Sequence, residues 1–156
     1  MTIFLIRHGS AGRRNDDDPS DDERHLDSAG HLQATTIADL LGREAITALI
    51  SSPAERCTET VGPLAARLGL PIERHSHLFE GTPIDRSWAI IQGFAAKGVT
   101  AAVCSHGDVI PELVRRAQLR GMSVPGKAGC SKGSIWTLHW AGDHFDRGSY
   151  TQVPKK

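Results

Sequence analysis

Short apolar runs alternate with longer segments whose apolar residues recur at helical spacing. Residues 2–6, 46–52 and 99–105 are continuous apolar runs of the length that buried strands show. A shorter strand is predicted at "PIERH" (71–75). Near the carboxyl end, "GSIWTLHW" and "HFDRGSYT" flank the turn "AGD", and this pattern predicts an antiparallel hairpin over 133–151.

Helical patterns fill the intervals between the predicted strands. Ser28 is expected to N-cap the first helix, Gly42 to stop it, and Pro53 to open the second helix in its first turn. Helices are predicted over 28–41, 53–68, 85–98 and 108–121. Such alternation predicts an α/β fold, a three-layer α/β/α sandwich with a mainly parallel central sheet and a C-terminal antiparallel hairpin.

Size and composition fit one domain over residues 1–156. Lys plus Arg and Asp plus Glu both number 18, so attraction for an anionic ligand must be local. Aromatic residues make up 5% of the chain and no basic face carries interleaved aromatics, which argues against nucleic-acid binding. No apolar run approaches the roughly 20 residues of a membrane helix.

The cysteine pattern predicts reduced thiols and a cytoplasmic protein. Cys57, Cys104 and Cys130 are odd in number and form no CxxC pair, and the apolar start lacks the features of a signal peptide. A thiolate phosphatase would need an arginine six residues after a cysteine, but those positions hold Pro63, Ile110 and Trp136. Cys57 and Cys104 are interpreted as small apolar fillers.

An acidic run follows the first predicted strand. It comprises Asp16, Asp17, Asp18, Asp21, Asp22 and Glu23, and Pro19 lies within the same polar loop. Charge runs of this kind usually form solvated surface, and that is the expectation for this one.

Basic and imidazole side chains come directly after the predicted strands. Arg7 and His8 end the first strand, Arg56 falls in the first turns of the second helix, and His106 follows the strand at 99–105. Open α/β sheets bind ligands beyond the carboxyl ends of their strands. Two guanidiniums and two imidazoles converging there, without obvious carboxylate partners, indicate an anion site that suits phosphate.

These residues also carry a family resemblance. "RHG" (7–9), "SSPAERCTET" (51–60) and "SHGD" (105–108) together resemble the histidine phosphatase superfamily, also called phosphoglycerate mutase-like. "DERHLDSAGHLQA" and the short length are most similar to the SixA-type phosphohistidine phosphatases. "VCSHGDVIPELV" and "KGSIWTL" also resemble the phosphatase domain fused to actinobacterial MutT-like Nudix proteins.

The resemblance implies a role for each residue. His8 would be the nucleophile that forms a phosphohistidine, and Arg7, Arg56 and His106 would bind the phosphate oxygens. Glu80, in "HLFEGTP", would be the general acid, with Asp108 as the alternative. No metal or other cofactor is expected.

Further residues are candidates for binding substrate. Gly9 and Gly107 would let the backbone approach the ligand, and Ser10 and Asp108 could contact it. Arg14 stands where larger family members carry an asparagine. Arg13 and Arg14 would either extend the anion site toward a bigger substrate or point to solvent.

The sequence therefore predicts a metal-independent phosphatase that acts on a phosphorylated protein or a nucleotide. The alternative is a catalytically idle module that binds phosphorylated partners; a third reading is a metal-binding or redox protein. His75 and His77 could share a metal, but no third ligand lies nearby in the sequence. The oligomeric state is left open.

Overall fold

The computed structural model describes residues 1–14, 17–18 and 21–154. Asp16 of the acidic run and Pro19 of the same predicted loop lie outside the described residues. In chain order the elements are β1 (Thr2–Arg7), α1 (Ser28–Leu41), β2 (Ala48–Ser51), α2 (Glu55–Leu68), β3 (Glu73–Arg74), α3 (Ile84–Ala96), β4 (Ala101–Ser105), α4 (Val109–Leu119), β5 (Ile135–Trp140) and β6 (Phe145–Thr151). A short 3-10 helix, Ser76–Leu78, precedes α3.

The described strands form one six-stranded sheet in the order β3-β2-β4-β1-β5-β6. β3, β2, β4 and β1 are mutually parallel, whereas β5 and β6 add an antiparallel hairpin to the β1 edge. The register places Arg7 beside Ser105, so β1 and β4 end together and the residues after them are neighbours. This topology confirms the predicted α/β fold.

Alternating side chains of β1 enter two separate cores, one on each face of the sheet. Ile3 and Leu5 pack in one core with Trp88 of α3 and Leu113 of α4. Phe4 and Ile6 pack in the other core, with residues of α1 and α2 that include Ile37 and Leu64. The helices therefore form two outer layers around the sheet, as the sequence predicted.

Element ends differ from the predictions by one or two residues at most positions. Asp27, not Ser28, is the N-cap of α1, because its Oδ1 accepts the Gly30 N–H at 2.9 Å. Pro53 does not open α2, which begins at Glu55. Gly69 ends α2 in the left-handed conformation at φ 68°, which glycine adopts without steric cost.

Within the part of the chain that the structure describes, no helix combines the length and apolar character needed to cross a bilayer.

Candidate active site

A cavity of about 690 Å³ opens beyond the carboxyl ends of β1 and β4. Its lining includes the cationic side chains of Arg7, Arg14, Arg24, Arg56 and Lys132, the imidazoles of His8 and His106, and the carboxylates of Glu80 and Asp108. Cations outnumber carboxylates in this lining, although the whole chain has a formal net charge of zero. The local excess of positive charge that the sequence predicted is therefore present in one cavity.

His8 is fixed as one tautomer by its own backbone. Its Nδ1 lies 2.8 Å from the carbonyl oxygen of Gly9, and because a carbonyl can only accept, Nδ1 carries the proton and Nε2 keeps its lone pair. Burial, with the charges of His106, Arg56 and Arg7, lowers the pKa of His8 to about 3, although the hydrogen bond to Gly9 acts in the opposite direction. The ring is therefore neutral at physiological pH.

His106 faces His8 across the cavity, with ring centroids 5.4 Å apart. Its Nδ1 lies 3.3 Å from the Nη2 of Arg56, which can only donate, so Nδ1 accepts and Nε2 carries the proton. Nε2 lies 2.8 Å from the Ser52 hydroxyl and donates to it. Ser52 and Arg56 thus fix the orientation of the second imidazole.

Arg56 is fully buried beneath the cavity, at 0% exposure. Its Nη1 donates to the backbone carbonyl of Asp21, and its Nη2 lies 3.6 Å from Glu80 and 3.7 Å from the Asp21 carboxylate. Its buried Nε has no hydrogen-bond partner among the described residues. Such a donor is uncommon in a folded protein, and an anion bound in the cavity would supply an acceptor.

Arg7 shares this feature, because its Nε is also buried without a partner in the described part of the chain. Its Nη1 donates to the carbonyl of Cys130. A Cβ on Gly107 would lie 2.7 Å from the Arg7 Cζ. Gly107 therefore leaves room for the Arg7 guanidinium, and because it also lines the cavity, the approach of a ligand to its backbone stays a prediction.

Gly9 and Ser10 make contacts with α1 instead of the cavity, whose lining includes neither. A Cβ on Gly9 would lie 3.1 Å from the Cα of Gly30. The Ser10 hydroxyl donates to Asp27 at 2.7 Å, a bond that, with the Gly30 and Gly12 N–H groups, lowers the pKa of Asp27 to about 2. These contacts hold the loop after β1 against the start of α1 and give the predicted ligand contacts no support.

Thr60 is a positioning residue that the sequence reasoning missed, although it ends the quoted motif "SSPAERCTET". Its Oγ1 accepts the Gly9 N–H at 2.9 Å and donates to the Arg56 carbonyl at 2.6 Å. The spacing of four residues from Arg56 to Thr60 on a helix was the available signal. Thr60 therefore joins the backbone beside His8 to the helix that carries Arg56.

Asp21 contradicts the expectation that the acidic run is solvated surface and that the guanidiniums lack carboxylate partners. It is 1% exposed, and its Oδ2 lies 2.9 Å from Arg24, 3.6 Å from Arg14 and 3.7 Å from Arg56. Burial raises the pKa of Asp21, but the bond and charge of Arg24 with the charges of Arg56 and Arg14 hold it below its ordinary value. Asp21 is therefore the carboxylate around which these arginines assemble.

Both candidates for the general acid line the cavity. Glu80 accepts two hydrogen bonds from Arg14, at 3.2 and 3.0 Å, and lies 3.6 Å from Arg56. Asp108 is more exposed, and its Oδ2 accepts the Gly81 N–H at 2.7 Å. Glu80 is thus the carboxylate that contacts the buried arginine of the site.

No group of three or more His, Cys, Asp or Glu side chains within the described ranges is arranged to hold a metal ion. His75 and His77 stack at 5.0 Å between ring centroids. The groups that converge on the cavity are instead hydrogen-bond donors and cations. Such groups bind an oxyanion and stabilise charge on it.

Comparison with sequences places this arrangement among known enzymes. The model of the histidine phosphatase superfamily (branch 1) matches residues 3–82. An 8-oxo-(d)GTP phosphatase from Mycolicibacterium smegmatis (strain ATCC 700084 / mc(2)155) is 30% identical over 156 residues, covering 98% of this chain and 48% of that protein. The chain therefore spans about half the length of this relative.

Solved structures share the fold. The protein histidine phosphatase SixA complexed with tungstate superposes with a TM-score of 0.76 at 23% identity, covering 99% of this chain and 97% of that one. Mycobacterial glucosyl-3-phosphoglycerate phosphatase complexed with VO3 superposes with a TM-score of 0.72 at 17% identity, covering 97% of both chains. At these identities the likeness establishes the fold alone.

Proposed function

The chain belongs to the histidine phosphatase superfamily, and from this premise we propose that it is a phosphatase that works without a metal ion, through a phosphohistidine formed on His8. The observation that carries the proposal is the hydrogen bond from His8 Nδ1 to the Gly9 carbonyl. It leaves Nε2 with its lone pair on a side chain that lines the cavity. A neutral imidazole of lowered pKa is nucleophilic without prior loss of a proton.

In the first step, Nε2 of His8 attacks phosphorus and the bond from phosphorus to the leaving oxygen breaks. Arg7 and Arg56 bind the phosphoryl oxygens, and His106 orients Arg56, because its Nδ1 accepts from the Arg56 guanidinium. The Nε groups of the two arginines are buried without a partner among the described residues, and a phosphate in the cavity would supply acceptors. Fixed guanidiniums stabilise the charge that a metal ion neutralises in other phosphoryl transfer enzymes.

Glu80 protonates the leaving oxygen in this step, because it is the carboxylate nearest to Arg56. In the second step, water attacks the phosphohistidine, its proton passes to the Glu80 carboxylate, and free phosphate leaves. Asp108 is the alternative acid, and its position against Gly81 keeps it on the same side of the cavity as Glu80.

Two substrate classes are consistent with the cavity, a phosphohistidine-bearing protein and a nucleotide polyphosphate. The relative from Mycolicibacterium smegmatis, named for a nucleotide substrate, supports the second class. The cavity volume of about 690 Å³ lies in the range of sites for drug-sized ligands, so the cavity has room for more of the substrate than the phosphate group itself.

The test uses p-nitrophenyl phosphate in the presence of EDTA, with wild type, His8→Ala and the control His31→Ala, which removes an exposed imidazole on α1. We expect wild type and His31→Ala to turn over and His8→Ala to be inactive. Mass spectrometry after a quench that avoids acid should find a phosphate adduct on His8. Turnover by His8→Ala, or activity that EDTA abolishes, would overturn the proposal.

A further inference from the structure

Arg14 and Glu80 form an ion pair at the mouth of the cavity. Both guanidinium Nη atoms of Arg14 donate to the carboxylate, at 3.2 and 3.0 Å. The Arg14 side chain is 54% exposed and that of Glu80 is 23% exposed. Arg14 therefore lies on the outer side of the pair, where a ligand entering from solvent meets it first.

The pair lies directly beside Arg56, the buried arginine of the site. The same Glu80 carboxylate lies 3.6 Å from Arg56, and Asp21 lies 3.6 Å from Arg14 and 3.7 Å from Arg56. Two carboxylates thus separate an outer guanidinium from an inner one. Two phosphates joined by a bridging oxygen present a similar sequence of negative groups.

The pair also affects the proton donor. Each carboxylate oxygen of Glu80 accepts one N–H group of Arg14, so neither oxygen is placed to donate to a leaving oxygen while the pair is intact. Glu80 must therefore exchange this partner before it can protonate a leaving oxygen.

We propose that the substrate carries a second phosphate next to the one attacked, and that this phosphate binds Arg14 and releases Glu80 to act as the acid. This inference rests on the proposed function. Lys132, which lines the same cavity, adds positive charge for the second phosphate. The chemical class is a nucleoside diphosphate or another phosphoanhydride.

The step balances within the proposed reaction. The released Glu80 carboxylate takes a proton from solvent. His8 Nε2 bonds to the terminal phosphorus, the bond from that phosphorus to the bridging oxygen breaks, and the bridging oxygen receives the Glu80 proton. The second phosphate departs with the leaving group, so Arg14 becomes available to pair with Glu80 again.

The experiment compares ADP with AMP, which lacks the second phosphate and has a ribose hydroxyl as its leaving group; because this difference in leaving group is the same for every variant, the change in the ADP/AMP ratio between variants carries the test. AMP and ADP are supplied with EDTA, so that no divalent ion covers the phosphates, and release of phosphate is followed. The variants are Arg14→Ala, the control Arg13→Ala and the reference His8→Ala. Arg13 is the adjacent exposed arginine and is not part of the cavity lining.

We expect wild type and Arg13→Ala to favour ADP over AMP in kcat by about tenfold or more, the value of a charge-assisted hydrogen-bond pair. Arg14→Ala should lower this ratio by about tenfold, because the variant lacks the guanidinium that binds the second phosphate. A merely structural role of Arg14 would instead lower both rates together.

A ratio near one in wild type, no hydrolysis of ADP, or an unchanged ratio in Arg14→Ala would overturn the inference. Those results leave the proposed function in place if p-nitrophenyl phosphate still phosphorylates His8. Hydrolysis of AMP and ADP by His8→Ala would instead overturn the proposed function itself.

Discussion

The Ser52 hydroxyl lies 2.8 Å from the Nε2 of His106, and both groups are buried beneath the cavity. Ser52 follows β2 and His106 follows β4, so this hydrogen bond joins the ends of two neighbouring strands. It also explains why α2 begins later than the sequence predicted, since Ser52 and Pro53 remain in the loop that reaches the imidazole.

Ser52→Ala should impair both activity and stability. It leaves the Nε2–H of His106 without its hydroxyl acceptor, which costs about 1–3 kcal/mol of stability and frees the ring to turn. We expect kcat/KM for p-nitrophenyl phosphate to fall by about tenfold or more. Ser51→Ala is the matched control, because the Ser51 hydroxyl donates only to the Ser52 backbone. Equal losses of activity in the two variants would contradict the role given to Ser52.

Gly107→Ala should displace Arg7 without unfolding the protein. The added Cβ would lie 2.7 Å from the end of a side chain, which can move. We expect kcat/KM to fall by about tenfold or more, while the free energy of unfolding changes by about 1 kcal/mol or less. Gly30→Ala provides the contrast: its Cβ would lie 2.0 Å from the Ser10 carbonyl oxygen, which is backbone. The free energy of unfolding of Gly30→Ala should fall by about 3 kcal/mol. If urea unfolding showed Gly107→Ala to be less stable than Gly30→Ala, this account would be refuted.

Wild type should lose stability relative to His8→Gln as the pH falls. The pKa of His8 is about 3 in the folded protein and 6.5 ordinarily, so between these values only the unfolded chain binds the proton. Stability is therefore lost as pH falls from about 6.5 toward 3. Relative to His8→Gln, wild type should lose about 2 kcal/mol in its free energy of unfolding between pH 7 and pH 5, as measured by urea unfolding. A difference independent of pH would show that His8 is not held neutral.

Asp21→Asn should destabilise the protein strongly, because it removes the charge that balances buried guanidiniums. We expect a loss of about 3 kcal/mol at pH 7. The difference in the free energy of unfolding between wild type and Asp21→Asn should be fully present above pH 3.8. It should disappear as the pH falls through the lowered pKa of Asp21. Asp39→Asn removes an exposed carboxylate that also pairs with an arginine, Arg67 at 2.7 Å, and should cost about 1 kcal/mol or less. If urea unfolding showed the same loss of stability in Asp21→Asn and Asp39→Asn, the argument from burial would be contradicted.

The sheet and the convergence of His8 and His106 could be predicted because both depend on regular rules. Apolar runs identify strands, and parallel strands carry ligand-facing residues at their carboxyl ends. Each histidine directly follows such a run, so only the adjacency of β1 and β4 had to be assumed, and the structure confirms it.

The burial of Asp21 and the contact of Gly107 with Arg7 were not predicted, for the opposite reason. Arg24 lies three residues from Asp21, but other acidic residues of the run have the same arginine nearby, and the partner that buries Asp21 beneath the cavity is Arg56, from another part of the chain. A glycine after a histidine suggests close approach of something, but only the folded position of the Arg7 guanidinium identifies what approaches Gly107. Tertiary contacts of these kinds leave no periodic signal in a sequence.

The place of β1 in the sheet has a consequence for synthesis of the chain. β1 leaves the ribosome before the other strands of this sheet, yet its partners β4 and β5 span residues 101–105 and 135–140. Until those residues emerge, an apolar strand has both edges unpaired, which favours association with other chains. Protection by chaperones should therefore be needed longest at the segment that ends in His8, and enzymatic activity should appear only in the last stage of folding.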